Sequence, residues 1–325
     1  MNFESALANY LKSDILPNLT PPPYGDIEFK KLSPKMPVLL VHEKLSNVKI
    51  VIKAFQYGTV SLNTAWERAE KEYEFLKLMQ EKYDMSSGDF RIVAPLGKNK
   101  ELAATLVIEF AKGNSLDYYI KNAIQKNETD KLLYKLRFMA RFLVKLHGNT
   151  QSDKKNSPET PRKYLKRLLS SLEGKLISNK ETNYIKDLAS SWWNREEVFS
   201  DNEVLVHGDA TPTNFLFMHE KVTGIDLEKM KWADRCWDLG FLAAELKHNF
   251  LNAGRSSNDS EPYIKNLLLE YAAGFKDFYL FKNITRRLPL YMSLGLLRIS
   301  RNDWLSKEHR HKMVEEAKMC LKYRA

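Results

Sequence analysis

The stretch VHGDATPTNFLF, Val206–Phe217, sets a group of polar side chains between two apolar runs. The runs EVLV before it and FLFMHEKVTGID after it are both typical of strands. Pro212 keeps the loop between them out of a helix, so Asp209 and Asn214 lie on a turn. Taken singly, aspartate and asparagine are ordinary turn residues, because their side chains bond readily to the nearby backbone.

A further carboxylate follows the second of these apolar runs. If Phe215–Phe217 and Val222–Ile225 pair as a hairpin, Asn214 and Asp226 come to the same end of it. Amide and carboxylate oxygens suit Mg²⁺, which needs few protein ligands when phosphates supply the rest. Asp209 would then lie where it can accept a proton from a substrate hydroxyl. Together, the spacing of these residues favours a catalytic loop over a simple turn.

Upstream of this loop, the hydrophobic pattern predicts several short strands and one long helix. IEFKKL, VLLVHEK and VKIVIKAF are typical of strands, TAWERAEKEYEFLKLMQEKY of a helix, and FRIVAPLG and LAATLVIEF of two more strands. Five strands with one inserted helix predict a small α+β layer structure.

Lys53 interrupts the apolar strand VKIVIKAF, and a lysine on a buried strand needs an anion. Glu72 on the helix would supply it, because at 100° per residue it lies roughly 60° from the centre of the predicted apolar stripe. That stripe comprises Trp66, Ala69, Tyr73, Leu76, Gln80 and Tyr83. A Lys–Glu pair that holds nucleotide phosphates is typical of kinase phosphoryl transfer. The alternative is that Lys53 points to solvent from an edge strand.

Beyond AKGNS the sequence predicts long helices, near 116–125, 130–147, 161–177 and 182–199, and again from about 235 to 323. The breaker cluster NLTPPPYGD ends an amphipathic N-terminal segment. We therefore expect three parts: an N-terminal helical arm over 1–24, a strand-rich lobe over 25–110, and a larger helical lobe over 111–325.

The composition and the N-terminal sequence indicate the cellular compartment and the kinds of partner to expect. The net charge of +10 is spread among 41 acidic residues, so we expect no nucleic-acid partner. Two cysteines cannot form a disulfide framework, which predicts a reducing compartment. We see no signal peptide and no apolar run of membrane-spanning length, so we expect a cytoplasmic protein without a membrane partner.

These motifs resemble those of the aminoglycoside phosphotransferase/choline kinase family, small-molecule kinases that share the protein-kinase fold. The family's catalytic loop is H-x-D-x-x-x-x-N, and His207, Asp209 and Asn214 stand in that register. Its second motif is similar to GIDLEKMKWADRCWDLGF in this chain. More weakly, VIKAF, KEYEFLKLM, LVIEFAKGNSL and MARFLVKLHGN resemble the strand lysine, the helix glutamate, the hinge and the helix before the substrate region.

The resemblance implies a bilobal, protein-kinase-like α+β fold, with a five-stranded antiparallel nucleotide-binding lobe and a mostly helical lobe that carries the catalytic loop and the substrate site. It makes Asp209 the catalytic base, and Asn214 and Asp226 the ligands of Mg²⁺. Lys53 would contact the α- and β-phosphates of ATP, with Glu72 as its partner.

Supporting roles are implied in the same way. His207 would brace the catalytic loop and Asp238 would cap and fix it, while Glu228 and Asp234 would lie around the metal or face the substrate. Main-chain groups of the hinge would bind the adenine edge, at Glu109, Phe110 and Ala111.

The turn KKLSPKMPV departs from the family, because it contains no glycine and its two prolines, Pro34 and Pro37, lack an N–H. A glycine-rich loop lets the backbone cover the phosphates. Ser33 or Lys35 would have to substitute here, and the choice between ATP and GTP stays open.

The phosphate acceptor is expected to be a small hydroxyl compound. Eleven residues lie between Asp226 and Asp238, too few for the activation loop of a protein kinase. An aminoglycoside favours acidic pockets and a quaternary amine favours aromatic cages, and the C-terminal helices mix both with basic segments such as LRISRNDW and KEHRHK. Choline-, ethanolamine- or sugar-type acceptors, and a nucleotide-binding pseudokinase, are the alternatives.

Overall fold

The computed structural model describes residues 3–33 and 37–323 and confirms the expected α+β class. The chain forms two compact units. The first comprises Met1–Lys112 and Thr223–Lys229, and the second comprises Gly113–Val222 and Met230–Ala325. Among the described helices, none combines the length and the apolar character needed to cross a bilayer.

The first unit contains an antiparallel sheet whose strand order is β1-β2-β3-β6-β5. Its strands are β1 Ile27–Lys31, β2 Val38–Glu43, β3 Lys49–Ala54, β5 Pro95–Asn99 and β6 Thr105–Glu109. The predicted five strands are therefore present. The segment FRIVAPLG is not one strand, however, because the chain leaves a short strand, β4 Phe90–Ile92, before it enters β5.

The N-terminal segment packs on this sheet. Helix α1, Phe3–Tyr10, continues through a π-turn at Leu11–Ile15 and a 3₁₀ turn at Leu16–Asn18. Its apolar side chains recur four residues apart and therefore lie on one face. Together with the sheet they form one buried cluster of Leu7, Leu11, Ile15, Val41, Ile50, Ile52 and Val107.

Helix α2, Leu62–Glu81, begins where the hydroxyl of Ser61 accepts the N–H of Thr64 at 3.3 Å. Its buried residues are Ala65, Ala69, Glu72, Leu76 and Met79. The predicted stripe was therefore rotated by about one residue, because it was centred on the bulky aromatic rings. Trp66 and Tyr73 are only half-buried, and both rings lie beneath the ammonium group of Lys98.

The second unit is mainly helical, with short strands beside the loop that contains Asp209 and Asn214. Its helices are α3 Leu116–Lys126, α4 Thr129–Asn149, α5 Glu159–Leu172, α6 Asn179–Trp193, α7 Cys236–Asn252, α8 Glu261–Gly274, α9 Phe278–Ser300 and α10 Lys307–Lys322. Its strands are β7 Asn114–Ser115, β8 Val204–Val206, β9 Phe215–Met218 and β11 Lys231–Ala233, while β10, Lys221–Gly224, leads back into the first unit. β7 pairs with β9, and β8 with β11.

Two glycines bring helices α7 and α9 close together. A Cβ atom at Gly240 would lie 2.7 Å from the main-chain carbon of Tyr291, and one at Gly295 would lie 2.7 Å from Cβ of Ala244. Neither distance is possible for real side chains, so these helices pack backbone to backbone. This contact fixes how the following turns of α7 and α9 face each other.

Candidate active site

In the first unit, Lys53 lies on β3 and is 5% exposed. Its Nζ is 2.5 Å from Oε2 of Glu72 and 2.7 Å from Oδ1 of Asp226. Burial alone would lower the pKa of Lys53, but the charges of Glu72 and Asp226 outweigh it and raise that pKa. The ammonium group is therefore a permanent buried cation, and the alternative of a solvent-facing edge lysine is wrong.

Glu72 is fully buried and holds two partners at once. One carboxylate oxygen accepts from Lys53, and the other accepts the main-chain N–H of Leu227 at 3.3 Å. The segment that carries Asp226 is thereby tied to α2. Asp226 itself has a φ of +66°, a left-handed conformation that asparagine and aspartate adopt more readily than most other non-glycine residues. Such backbone strain is concentrated at functional sites.

In the second unit, Asp238 of α7 organises the catalytic loop. Its carboxylate is fully buried and accepts the N–H of His207 at 2.7 Å and that of Gly208 at 3.0 Å. The ring of His147 lies 3.1 Å from the same carboxylate and 2.8 Å from the hydroxyl of Tyr271. A buried carboxylate with several donors stays ordered, so the residues just before Asp209 have one defined position.

His207 is fully buried, with its ring 5.0 Å from the ring of Phe215. Gly208 has a φ of +79°, in the region that favours glycine. The chain therefore turns sharply before Asp209, and the imidazole of His207 is buried against the ring of Phe215.

Asp209 and Asn214 lie at the two ends of the loop that Pro212 closes with a 3₁₀ turn. Asn214 is 8% exposed, and its Nδ2 donates to the main-chain oxygen of Asp209 at 3.0 Å. This bond orients the amide group, and the amide oxygen is the atom left to serve as a metal ligand.

The sequence interpretation did not identify Arg298 as part of this site. Arg298 lies on α9, and its Nη2 donates to Oδ1 of Asp209 while its Nη1 is 3.2 Å from Oε1 of Glu245 on α7. Burial raises the pKa of Glu245 to about 7, with Arg298 opposing and Asp209 adding to the rise. The candidate base therefore forms part of a three-residue charged group.

The remaining predicted residues have differing surroundings. Asp234 is buried, contacts Arg287 at 3.4 Å and accepts the N–H of Cys236 at 2.8 Å, so it joins α9 to the start of α7. Glu228 belongs to the first unit and is half-buried, 3.7 Å from Lys229.

At the hinge, the carboxylate of Glu109 is held by both terminal nitrogens of Arg91, each at 2.6 Å, and so supports the local structure. Phe110 and Ala111 follow the end of β6 and lie outside its pairing ladder. Ser33 is half-buried just after β1, whereas Pro34 and Lys35 lie outside the described residues.

The oxygen donors present fit a magnesium ion. Within residues 3–33 and 37–323, no three His, Cys, Asp or Glu side chains cluster in a way that could hold a metal. Mg²⁺ does not need such a cluster, because one or two carboxylates together with nucleotide phosphates suffice. The carboxylate of Asp226 in the first unit is such a ligand, and the oriented amide of Asn214 in the second unit offers another hard oxygen.

The fold and the buried Lys53–Glu72 pair fit a kinase, and the family match shows a phosphotransferase that acts on small-molecule hydroxyl groups. The sequence model described as the phosphotransferase enzyme family (APH) matches residues 64–275. Since this match spans more than half of the chain, the protein belongs to that family. No curated protein matches the sequence.

Solved structures share the whole fold. Choline kinase LicA from Streptococcus pneumoniae superposes with a TM-score of 0.58 at 16% identity, over 98% of each chain. The streptomycin–ATP complex of APH(2″)-IIa gives 0.57 at 16% identity, over 95% of this chain and 99% of that one. The GDP complex of aminoglycoside 2′-phosphotransferase-IIIa gives 0.59 at 12% identity, over 98% and 99%. At such identities the likeness shows the bilobal kinase-like fold.

Proposed function

We propose that this protein transfers the γ-phosphate of ATP to a hydroxyl group of a small molecule, in a reaction that requires Mg²⁺. The observation that carries the proposal is the buried ammonium group of Lys53, 2.5 Å from Glu72 and 2.7 Å from Asp226. A strand lysine paired with a helix glutamate is the phosphate-binding arrangement of kinases. Membership of the phosphotransferase family supports the same reaction.

In this proposal Lys53 binds the α- and β-phosphates of the nucleotide. Its fixed partner Glu72 prevents the ammonium group from turning away, because the glutamate is itself anchored by the N–H of Leu227. The main chain of Glu109, Phe110 and Ala111 binds the adenine edge, and Ser33 in the glycine-free turn substitutes for a glycine-rich loop at the phosphates.

Asn214 and Asp226 are the proposed ligands of Mg²⁺. When bound, the ion would neutralise charge that builds up on the transferring phosphates. Asn214 is suited to this role because its amide nitrogen is already engaged by the backbone of Asp209.

In the proposed transfer step, Asp209 is the proton acceptor. The acceptor hydroxyl oxygen attacks the γ-phosphorus, and the bond from that phosphorus to the bridging oxygen breaks. ADP leaves with the electron pair, and the hydroxyl proton passes to Asp209. Asp238 keeps the loop in place through the N–H groups of His207 and Gly208, so that little reorganisation accompanies the reaction.

The acceptor is proposed to be a small hydroxyl compound, and the classes to compare include aminoglycosides and choline-, ethanolamine- and sugar-type metabolites. APH(2″)-IIa was solved with streptomycin and ATP, and aminoglycoside 2′-phosphotransferase-IIIa with GDP, so ATP and GTP both merit testing as donors. Cys236 and Cys320 are buried thiols without a disulfide, which supports a cytoplasmic location.

The test is a coupled ADP-release assay with each class of acceptor, with and without Mg²⁺. We expect turnover that depends on both the metal and an acceptor. The absence of nucleotide binding by calorimetry, together with no turnover in any mixture, would refute the proposed function.

A further inference from the structure

Arg298 places a permanent positive charge directly against the proposed catalytic base. Its guanidinium group donates to Oδ1 of Asp209, and its side chain is 19% exposed, so solvent and a ligand can both reach it. An arginine does not lose its proton in proteins. Any acceptor whose hydroxyl approaches Asp209 therefore meets this cation.

The other partner of Arg298 is the buried carboxylate of Glu245 on α7. Glu245 lies 3.2 Å from Nη1 of Arg298, and burial raises its pKa to about 7. Near neutral pH, a substantial fraction of Glu245 therefore carries no charge. Asp117, the next carboxylate to act on Glu245, is paired with Lys121 at 2.7 Å.

Beyond Glu245, the next turn of α7 contributes one ring of a histidine pair. His248 follows one helical turn later on α7, and its Nδ1 lies 2.8 Å from Nε2 of His309 on α10. Two rings at this distance share one proton between them, and burial together with His309 lowers the pKa of His248 to about 4. Once a substrate hydroxyl replaces the guanidinium group at Asp209, Arg298 keeps only the partly ionised Glu245 of these two carboxylates as its ion-pair partner, and an anionic group of the substrate can take the vacated position.

The shape of the guanidinium group indicates which kind of anion would bind Arg298. Its planar fork matches two oxygens of a carboxylate or a phosphate, which is why arginine recognises these groups with two parallel hydrogen bonds. Nη2 of Arg298 donates to Asp209 and Nη1 contacts Glu245. Each of these nitrogens can also donate to an incoming anion. Phe241 lies 5.6 Å below the guanidinium group and limits its movement.

We propose that the phosphate acceptor is an anionic hydroxyl compound whose carboxylate or phosphate group binds Arg298, and that Arg298 selects it over cationic acceptors. This inference rests on the proposed function, since it assigns the substrate class of that same site. The anion engages Arg298, and the hydroxyl of the same molecule replaces the guanidinium group at Oδ1 of Asp209. Phosphoryl transfer then follows as above, with the hydroxyl proton passing to Asp209.

The experiment compares matched acceptors with the full-length protein in the ADP-release assay. The pairs are glycerate with glycerol and gluconate with glucose, with glycerol 3-phosphate to distinguish phosphate from carboxylate, and choline and kanamycin as cations. We expect kcat/KM to be at least 100-fold higher for an anionic acceptor than for its neutral partner. In the Arg298→Gln variant this ratio should fall at least tenfold, mainly through KM, and Arg298→Lys should lie between.

Arg301→Gln is the matched control, because Arg301 is exposed at the end of the same helix, and it should leave the ratio unchanged. A wild-type preference for neutral or cationic acceptors, or an unchanged ratio in Arg298→Gln, would overturn the inference. If Arg298→Gln does not fold, the wild-type comparison decides. A protein that hydrolyses ATP but uses no anionic acceptor contradicts the inference alone, whereas one that neither binds nor hydrolyses nucleotide contradicts the proposed function.

Discussion

The main-chain N–H of His207 donates to Oδ2 of Asp238 at 2.7 Å, and this bond joins the proposed catalytic loop to the first turn of α7. Oδ1 of the same carboxylate accepts from Gly208 at 3.0 Å. The position of Asp209 therefore depends on a residue far from it in sequence.

Asp238→Asn should destabilise the protein by about 2 kcal/mol, because the amide nitrogen cannot accept one of these buried N–H groups. The turnover number should fall as well, since the loop loses a defined position. Urea unfolding and steady-state kinetics measure the two effects. Asp130→Asn, an exposed aspartate in the first turn of α4, is the control, and an equal loss in both variants would contradict the explanation.

Asp209→Asn should lower kcat by a factor of about 10² to 10⁴, which is the range for the loss of a general base. Nucleotide binding should persist, because Lys53 and Glu72 are unchanged by this substitution. Calorimetry with nucleotide and the ADP-release assay separate the two results. Full activity in the variant would exclude Asp209 as the base.

Asp226→Ala should abolish the dependence of nucleotide binding on Mg²⁺, since the variant loses the proposed carboxylate ligand. Weak binding without the metal should remain, because Lys53 keeps Glu72 as a partner at 2.5 Å. Calorimetry with and without Mg²⁺ provides the measurement. Lys229→Gln, an exposed position on the same segment, should behave as wild type, and a retained Mg²⁺ effect in Asp226→Ala would disprove the assignment.

Glu245→Gln should change how stability depends on pH. Burial raises the pKa of Glu245 from 4.5 to about 7, so between these values the folded protein holds a proton that the unfolded chain releases. The free energy of unfolding therefore has a contribution that is full below about pH 4.5 and is lost as the pH rises to about 7.

This contribution is on the order of 2 kcal/mol, at about 1.4 kcal/mol per unit of pKa and allowing for partial screening. The Glu245→Gln variant should lack that decline. Urea unfolding at several pH values compares the two curves, and parallel curves for wild type and variant would show that the raised pKa is not a property of Glu245.

Gly295→Ala should destabilise the protein by about 1 to 3 kcal/mol, although alanine is the better helix former. The added Cβ would lie 2.7 Å from that of Ala244, so α9 and α7 must separate and Arg298 must shift. Gly148→Ala is the matched control on α4, because its Cβ would meet Phe275 at an ordinary 3.6 Å. Equal stability changes in both variants would exclude the close contact as the cause.

The sequence predicts those site residues that a local pattern is enough to identify. A lysine inside an apolar strand and a glutamate near a helical stripe were enough to pair Lys53 with Glu72, and the spacing of the loop singled out Asp209 and Asn214. The buried face of α2 is less well predicted by the sequence, because large aromatic side chains in the pattern suggest burial that Trp66 and Tyr73 do not have. Trp66 and Tyr73 instead support Lys98 at the edge of the sheet.

Arg298 was missed for a different reason. Its stretch LRISRNDW is one of several basic segments near the C-terminus, and which of them faces the loop depends on how α9 packs on α7. A signal was nonetheless present, since Arg298 follows the apolar run LGLL and a charge in such a run needs a partner. The same reasoning that found Lys53 applies to it, but the partner, Asp209, comes from the tertiary structure.

The apolar face of the N-terminal arm has a consequence for synthesis on the ribosome. Leu7, Leu11 and Ile15 are buried against strands that include β6, which begins only at Thr105. The arm leaves the ribosome before these strands, and the last of them, β6, is translated several seconds later at about 5 to 20 residues per second. During that interval the arm is an exposed amphipathic segment, the kind of surface that chaperones of nascent chains bind.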